Sequence, residues 1–120
     1  MRRVTVWHDG GCPLCRREIA LMRRLDRRGA IAFVDVSGPA ACPIDRAAML
    51  ARFHARDGDG PIVSGAAAFA AMWRAIPVLR PLGEAARNPL LLALLEAAYR
   101  GFLRVRPRLA RWVARREVRA

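Results

Sequence analysis

The sequence predicts an α/β domain of order β-α-β-α-β-β-α with a helical extension behind it. Three observations carry that prediction. Short runs rich in β-branched and aromatic residues alternate with segments whose apolar residues recur at helical spacing. Gly and Pro stand at the borders between these segments. Two Asp-Gly pairs in a row, Asp57-Gly58-Asp59-Gly60, join two short apolar runs as a hairpin turn would.

The first element is "RRVTVWH", a strand, which "DGG" breaks. Pro13 suits a first helical position, where its missing N–H is not needed. From Pro13 to about Arg28, Leu14, Ile19, Leu21, Met22 and Leu25 form an apolar stripe, while Arg16, Arg17, Arg23, Arg24, Arg27 and Arg28 fill the other faces. Gly29 is the stop. "AIAFVDV" is the second strand, "SGPAACP" a loop, and "IDRAAMLA" a short helix with Asp45 near its start. "RFHARD" and "PIVSG" are the hairpin strands. An alanine-rich helix from Ala66 to about Ile76 carries Phe69, Met72 and Trp73 as core residues. Pro77 to Pro81 interrupts, and a further helix spans about Pro81 to Arg87. Pro89 opens a last helical region to about Arg104, where Pro107 should kink or end it before the tail resumes to Arg116.

This is the element order of a thioredoxin-like fold with a C-terminal helical extension. The helix between the first two strands implies a parallel crossover. The 120 residues are expected to form a single domain, with 1–77 as the α/β core and 78–120 as the extension.

Composition narrows the function classes. At 54% apolar residues the chain can bury a core, which excludes disorder. No apolar run reaches the roughly 20 residues of a membrane span, and no secretory pattern follows the basic start. The expected location is therefore cytoplasmic. Structural disulfides are rare there, so Cys12, Cys15 and Cys42 point to redox chemistry, a metal, or inert thiols. Net charge is +12 and all 22 basic residues are arginine. Eight of them lie from Arg100 onward, against Glu117 alone. Such a tail can face nucleic acid, an anionic membrane or an acidic partner, or simply water. Nucleic acid is not expected, because the aromatic interleaving of single-strand binders is missing.

The stretch "HDGGCPLC" carries the chemistry. With a helix beginning near Pro13, Cys12 takes the N-cap and Cys15 stands one turn in. Residues three apart share a helix face, so the two sulfurs can meet. The helix N-terminus favours the Cys12 thiolate, and Arg16 adds to this if it turns that way. This is the layout of a nucleophilic cysteine and its resolving partner, with Cys12 expected to be the more exposed and the more acidic. Asp9 either holds the "DGG" turn through its carboxylate or accepts a proton as a thiol reacts. His8 either ends the strand or tunes the dithiol. His54 is read as structural and Cys42 as a small apolar loop residue.

"HDGGCPLCRREIALMRRLDRRGAIAFVDV" resembles the opening of the DCC family of predicted thiol-disulfide oxidoreductases, named for its D-x-x-C-x-x-C motif, here Asp9, Cys12 and Cys15. "SGAAAFAAMWRAIP" is similar to the family's G-x-x-A segment, and "AAYRGFLRVR" to its closing helix. The resemblance implies a thioredoxin-like fold and dithiol-disulfide exchange, with Cys12 as nucleophile, Cys15 as resolver and a role for Asp9. No cofactor beyond the dithiol is implied. Where the family commonly carries an aromatic residue before its Asp-Gly pair, this chain has His8. Thioredoxins and glutaredoxins also place a proline just before the third strand; none directly precedes "RFHARD" here, the nearest being Pro43.

Two other classes stay open. Cys12 and Cys15 could recruit Cys42 and a histidine into a transient metal-thiolate site, although no second C-x-x-C completes a zinc finger. Or the domain is a redox-silent binding module that uses its basic tail. A disulfide-bearing protein or a small-molecule thiol is the expected partner of the redox reading. Leu90, Leu91, Leu92, Leu94 and Leu95 cannot all face one side of a helix. Some of them need another surface. Intramolecular packing ranks first, a homodimer second and a membrane face third.

Overall fold

The computed structural model describes residues 4–38 and 44–119. Strand β1 (Val4–His8) lies inside a four-stranded sheet of order β2-β1-β3-β4. β2 (Ile31–Asp35) runs parallel to β1, with Val4 opposite Ile31 and His8 opposite Asp35. Helix α1 (Pro13–Leu25) makes the crossover that a parallel pair requires. β3 (His54–Asp57) lies antiparallel on the other side of β1, and β4 (Ile62–Ser64) closes the hairpin. Gly58 supplies the positive φ of 57° in the turn, as the Asp-Gly pairs lead one to expect.

Period-two alternation splits the core between the two faces of the sheet. Val4 and Val6 pack with Ile19 and Met22 of α1 and with Ala68, Ala71 and Met72 of α3 (Ala66–Arg74). Trp7 points the other way, to Val36 and to Met49 of α2 (Arg46–Ala51). Asp45 caps α2 through Ala48 N–H at 3.3 Å. α4 (Arg80–Ala85) and α5 (Pro89–Arg119) follow. No helix among the described residues is long and apolar enough to cross a membrane.

Several boundaries differ from the sequence expectation. α1 stops at Leu25, short of Arg28, because the Asp26 carboxylate accepts from Ala30 N–H at 2.9 Å and Ile31 N–H at 3.0 Å and turns the chain into β2. α3 stops at Arg74, before Ile76. Pro107 does not end the last helix. Its ring forfeits one backbone bond, yet both flanks are fastened to the domain. Arg106 reaches the α1 N-terminus, Val113 is buried, and Glu117 meets Arg16 and Arg17 at 3.3 and 3.2 Å.

The inward face of α5 follows a spacing of three and four: Glu96, Tyr99, Leu103, Arg106, Ala110, Val113 and Glu117. Glu96 accepts two bonds from Arg52 at 2.9 and 3.1 Å and one from Ala66 N–H at 3.2 Å. Gly65 lies under this network with φ 66°, and a Cβ there would run into Arg52 and Glu96. The Tyr99 hydroxyl accepts from Phe53 N–H at 2.8 Å. Of the leucine cluster, Leu91, Leu92 and Leu95 are partly buried, whereas Leu90 is 72% and Leu94 61% exposed. Packing within the chain therefore covers only part of that cluster.

Candidate active site

The "DGG" turn aims the helix that carries the cysteines. Asp9 Oδ1 accepts from Gly11 N–H at 2.9 Å, an Asx-type closure. Cys12 N–H returns to the Asp9 carbonyl at 3.2 Å. Gly10 N–H donates to Asp35 Oδ1 at 2.9 Å, which ties the turn to the end of β2. A side chain at Gly10 would collide with that carboxylate. The chain then enters α1 with Cys12 at the N-cap, in extended conformation, and Pro13 at the first helical position.

Cys12 and Cys15 differ strongly. Burial pushes the Cys12 thiol up. The Cys15 backbone N–H and thiol and the Arg106 guanidinium outweigh that, so Cys12 titrates below the ordinary thiol value. Burial acts on Cys15 unopposed by comparable help. With the Cys12 sulfur and the Asp9 charge adding to it against the pull of Arg106, the Cys15 thiol is pushed up to about 12. The order of acidity matches the sequence expectation; the order of exposure does not. Cys12 is only 8% exposed, while Cys15 is half-buried. The glycines before Cys12 do leave room, but α5 fills it: Leu103, Arg106, Pro107 and Ala110 lie with Cys12 along one groove.

Arg106 completes the site from the far end of the chain. Its Nη2 donates to Cys15 Sγ at 3.3 Å and stands 3.5 Å from Asp9 Oδ2, with the side chain 17% exposed. Asp9 thus holds the turn with one oxygen and Arg106 with the other. Arg16 does not join them. Its guanidinium donates to the Gly10 carbonyl and to Glu117, each at 3.3 Å. His8 lines the cavity that Cys15 borders, is 8% exposed, and neither of its ring nitrogens has a protein partner. Burial lowers its pKa, against the opposing charge of Asp35, and leaves the imidazole neutral at pH 7.

A cavity of about 30 Å³ lies beside Cys15, lined among others by His8, Glu18, Tyr99 and Arg106. Burial pushes the Glu18 carboxyl up to about 7, against the pull of Arg106. Above Cys12 the α1–α5 groove of about 460 Å³ opens to solvent, with Pro13 and Ala51 on its other wall.

The structure therefore brings together Cys12, Cys15 and Asp9, sets His8 on the cavity that Cys15 borders and turns Arg16 aside. His54 serves the fold, with Nδ1 2.8 Å from the Arg52 carbonyl. Cys42 and Pro43 lie outside the described residues. Two further residues, Arg106 and Glu18, escape the sequence reading, although each leaves a signal there. Arg106 is a charge on the inward stripe of α5, and Glu18 is a carboxyl on the apolar stripe of α1, between Cys15 and Met22. Among the described residues no group of three or more His, Cys, Asp or Glu could hold a metal ion.

The family model for DCC1-like thiol-disulfide oxidoreductase matches residues 6–112. An uncharacterized chloroplastic protein of Arabidopsis thaliana is 34% identical over 80 residues, which covers 62% of this chain and 37% of the relative. The chain thus spans little more than a third of that relative's length. No solved structure gives a significant match.

Proposed function

This chain belongs to the DCC1-like thiol-disulfide oxidoreductase family, and on that premise we propose that it exchanges a Cys12/Cys15 dithiol with disulfides of proteins or small molecules. The Cys12 thiolate attacks one sulfur of the substrate disulfide and the other sulfur leaves as a thiolate. Cys15 then attacks Cys12 Sγ, closes the Cys12–Cys15 disulfide and frees the second substrate thiol. Run backwards, the same steps oxidise a substrate dithiol.

The observation that carries this reading is the placement of Arg106 against Cys15 and Asp9, where its charge also favours the Cys12 thiolate. A guanidinium there favours an anion at Cys12, the sulfur that faces the groove, while Cys15 keeps its proton until it is needed. The groove supplies room for a substrate chain against apolar walls. The residues fit a dithiol mechanism without a further cofactor, and the cysteine usage fits a reducing, cytoplasmic setting.

The test is a trapping experiment. The Cys15→Ser variant, mixed with oxidised glutathione, should accumulate one glutathione on Cys12 by intact mass and peptide mapping. A Cys12→Ser variant that traps as fast, or a label found only on Cys42, would overturn the assignment.

A further inference from the structure

The resolving step asks for something the dithiol does not supply. Cys15 attacks only as a thiolate, yet its sulfur is held protonated by burial, with Asp9 adding to that. Joining Cys12 to a substrate removes the charge of Cys12 but leaves Cys15 buried.

Glu18 is three residues further along α1, hence on the same face as Cys15, and both line the 30 Å³ cavity. That volume has room for about one water. His8 borders the cavity from β1, buried and with both ring nitrogens lacking a protein partner. A buried imidazole without a partner is uncommon enough to call for one. The other charged or titratable groups on this cavity are already committed. Arg106 is engaged with Cys15 and Asp9, and Arg52 with Glu96. Asp9 accepts from Gly11 and faces Arg106. The Tyr99 hydroxyl takes the Phe53 N–H, and burial raises its pKa. Glu18 makes no hydrogen bond or ion pair at contact distance with any described residue; Arg106 acts on it only through its field.

We propose that Glu18 accepts the Cys15 proton across the His8-lined cavity as Cys15 attacks the mixed disulfide. The inference rests on the dithiol reading above. The step balances: the Cys15 S–H bond breaks and its proton passes, through a water held by His8, to the Glu18 carboxylate. The Cys15–Cys12 bond forms, the bond from Cys12 to the substrate breaks, and the substrate sulfur leaves with the electron pair. The substrate disulfide is the only oxidant. In reverse, the Glu18 carboxyl protonates Cys15 as it departs. A carboxyl that titrates near neutrality suits both directions.

The experiment follows thionitrobenzoate release when the reduced protein, in a Cys42→Ser background, meets the aromatic disulfide dithiobis(nitrobenzoate). Cys12 releases the first equivalent and Cys15 the second. Glu18→Gln, nearly isosteric, should leave the first phase unchanged and slow the second about 10- to 100-fold at neutral pH. The second phase of the wild type should level off above about pH 7, where Glu18 is ionised, while that of the variant keeps rising. The wild-type profile decides the matter even if the variant folds poorly. A second phase that climbs straight through pH 9, or one unchanged by Glu18→Gln, overturns the proposal and leaves the dithiol reading standing. A wild type with no second phase overturns both.

Discussion

Arg106 Nη2 lies 3.3 Å from Cys15 Sγ, a contact made across 91 positions of the chain. It joins the last helix to the first turn of α1, so the extension is part of the site. Arg106→Gln should raise the Cys12 pKa and slow its alkylation by iodoacetamide at pH 7, by about 10-fold for every pH unit that the thiol's midpoint moves up. Arg106→Lys should fall in between, since it keeps the charge but loses the planar guanidinium whose Nη2 meets both Cys15 and Asp9. Equal rates in all three proteins would show that Arg106 does not act on the thiols.

The pH dependence of alkylation should separate the two thiols. Cys12 is depressed, so its thiolate appears below the ordinary thiol value of about 8.5. Cys15 is raised to about 12, so it should stay unlabelled until strongly alkaline pH. Peptide mapping after brief labelling at pH 7.5, about one unit below the ordinary value, checks the order. Cys15 labelled first would contradict the electrostatics, and would follow instead from its greater exposure.

What was legible in the sequence is what local chemistry dictates. Pro13 and Asp45 set helix starts, the Asp-Gly pairs set the hairpin, and the C-x-x-C spacing set the dithiol, each through neighbours a few residues away. The misread features depend on contacts between distant parts of the chain. Cys12 is covered because α5 returns over it. Pro107 is tolerated because the helix is fastened on both sides. Arg106 is one arginine among many until its place on the inward stripe, with Tyr99, Leu103 and Val113, sets it apart. Glu18 is hidden in the same way, as a single carboxyl within an apolar stripe flanked by arginines.

Glu18 makes stability depend on pH with a definite sign. Its folded pKa, about 7, lies above the unfolded value near 4.5. The folded state therefore holds the proton more tightly, and stability falls as pH rises from 4.5 to 7. Glu18→Gln removes this dependence. The variant should match the wild type near pH 4.5 and exceed it at pH 8 by on the order of 1–3 kcal/mol in urea unfolding. A stability gap independent of pH would show that Glu18 is not buried as described.

Asp9 should separate into its two roles. Asp9→Asn keeps an oxygen for Gly11 N–H but loses the charge facing Arg106 and Cys15. It should fold normally and lower the Cys15 pKa, because the Asp9 charge adds to the elevation of that thiol. Asp9→Ala also loses the turn and should cost about 0.5–2 kcal/mol in addition, the range for a lost side-chain cap. If the two variants have the same stability, the Asx closure contributes nothing measurable.

Dithiol exchange itself is decided by a redox titration in glutathione buffers of graded ratio, read by intact mass after acid quench and by peptide mapping. A single reversible two-electron transition is expected, in which the chain loses two hydrogens and Cys12 is found joined to Cys15. A chain that keeps both thiols across the whole range, or whose disulfide joins Cys42 to either of them, would contradict the dithiol mechanism.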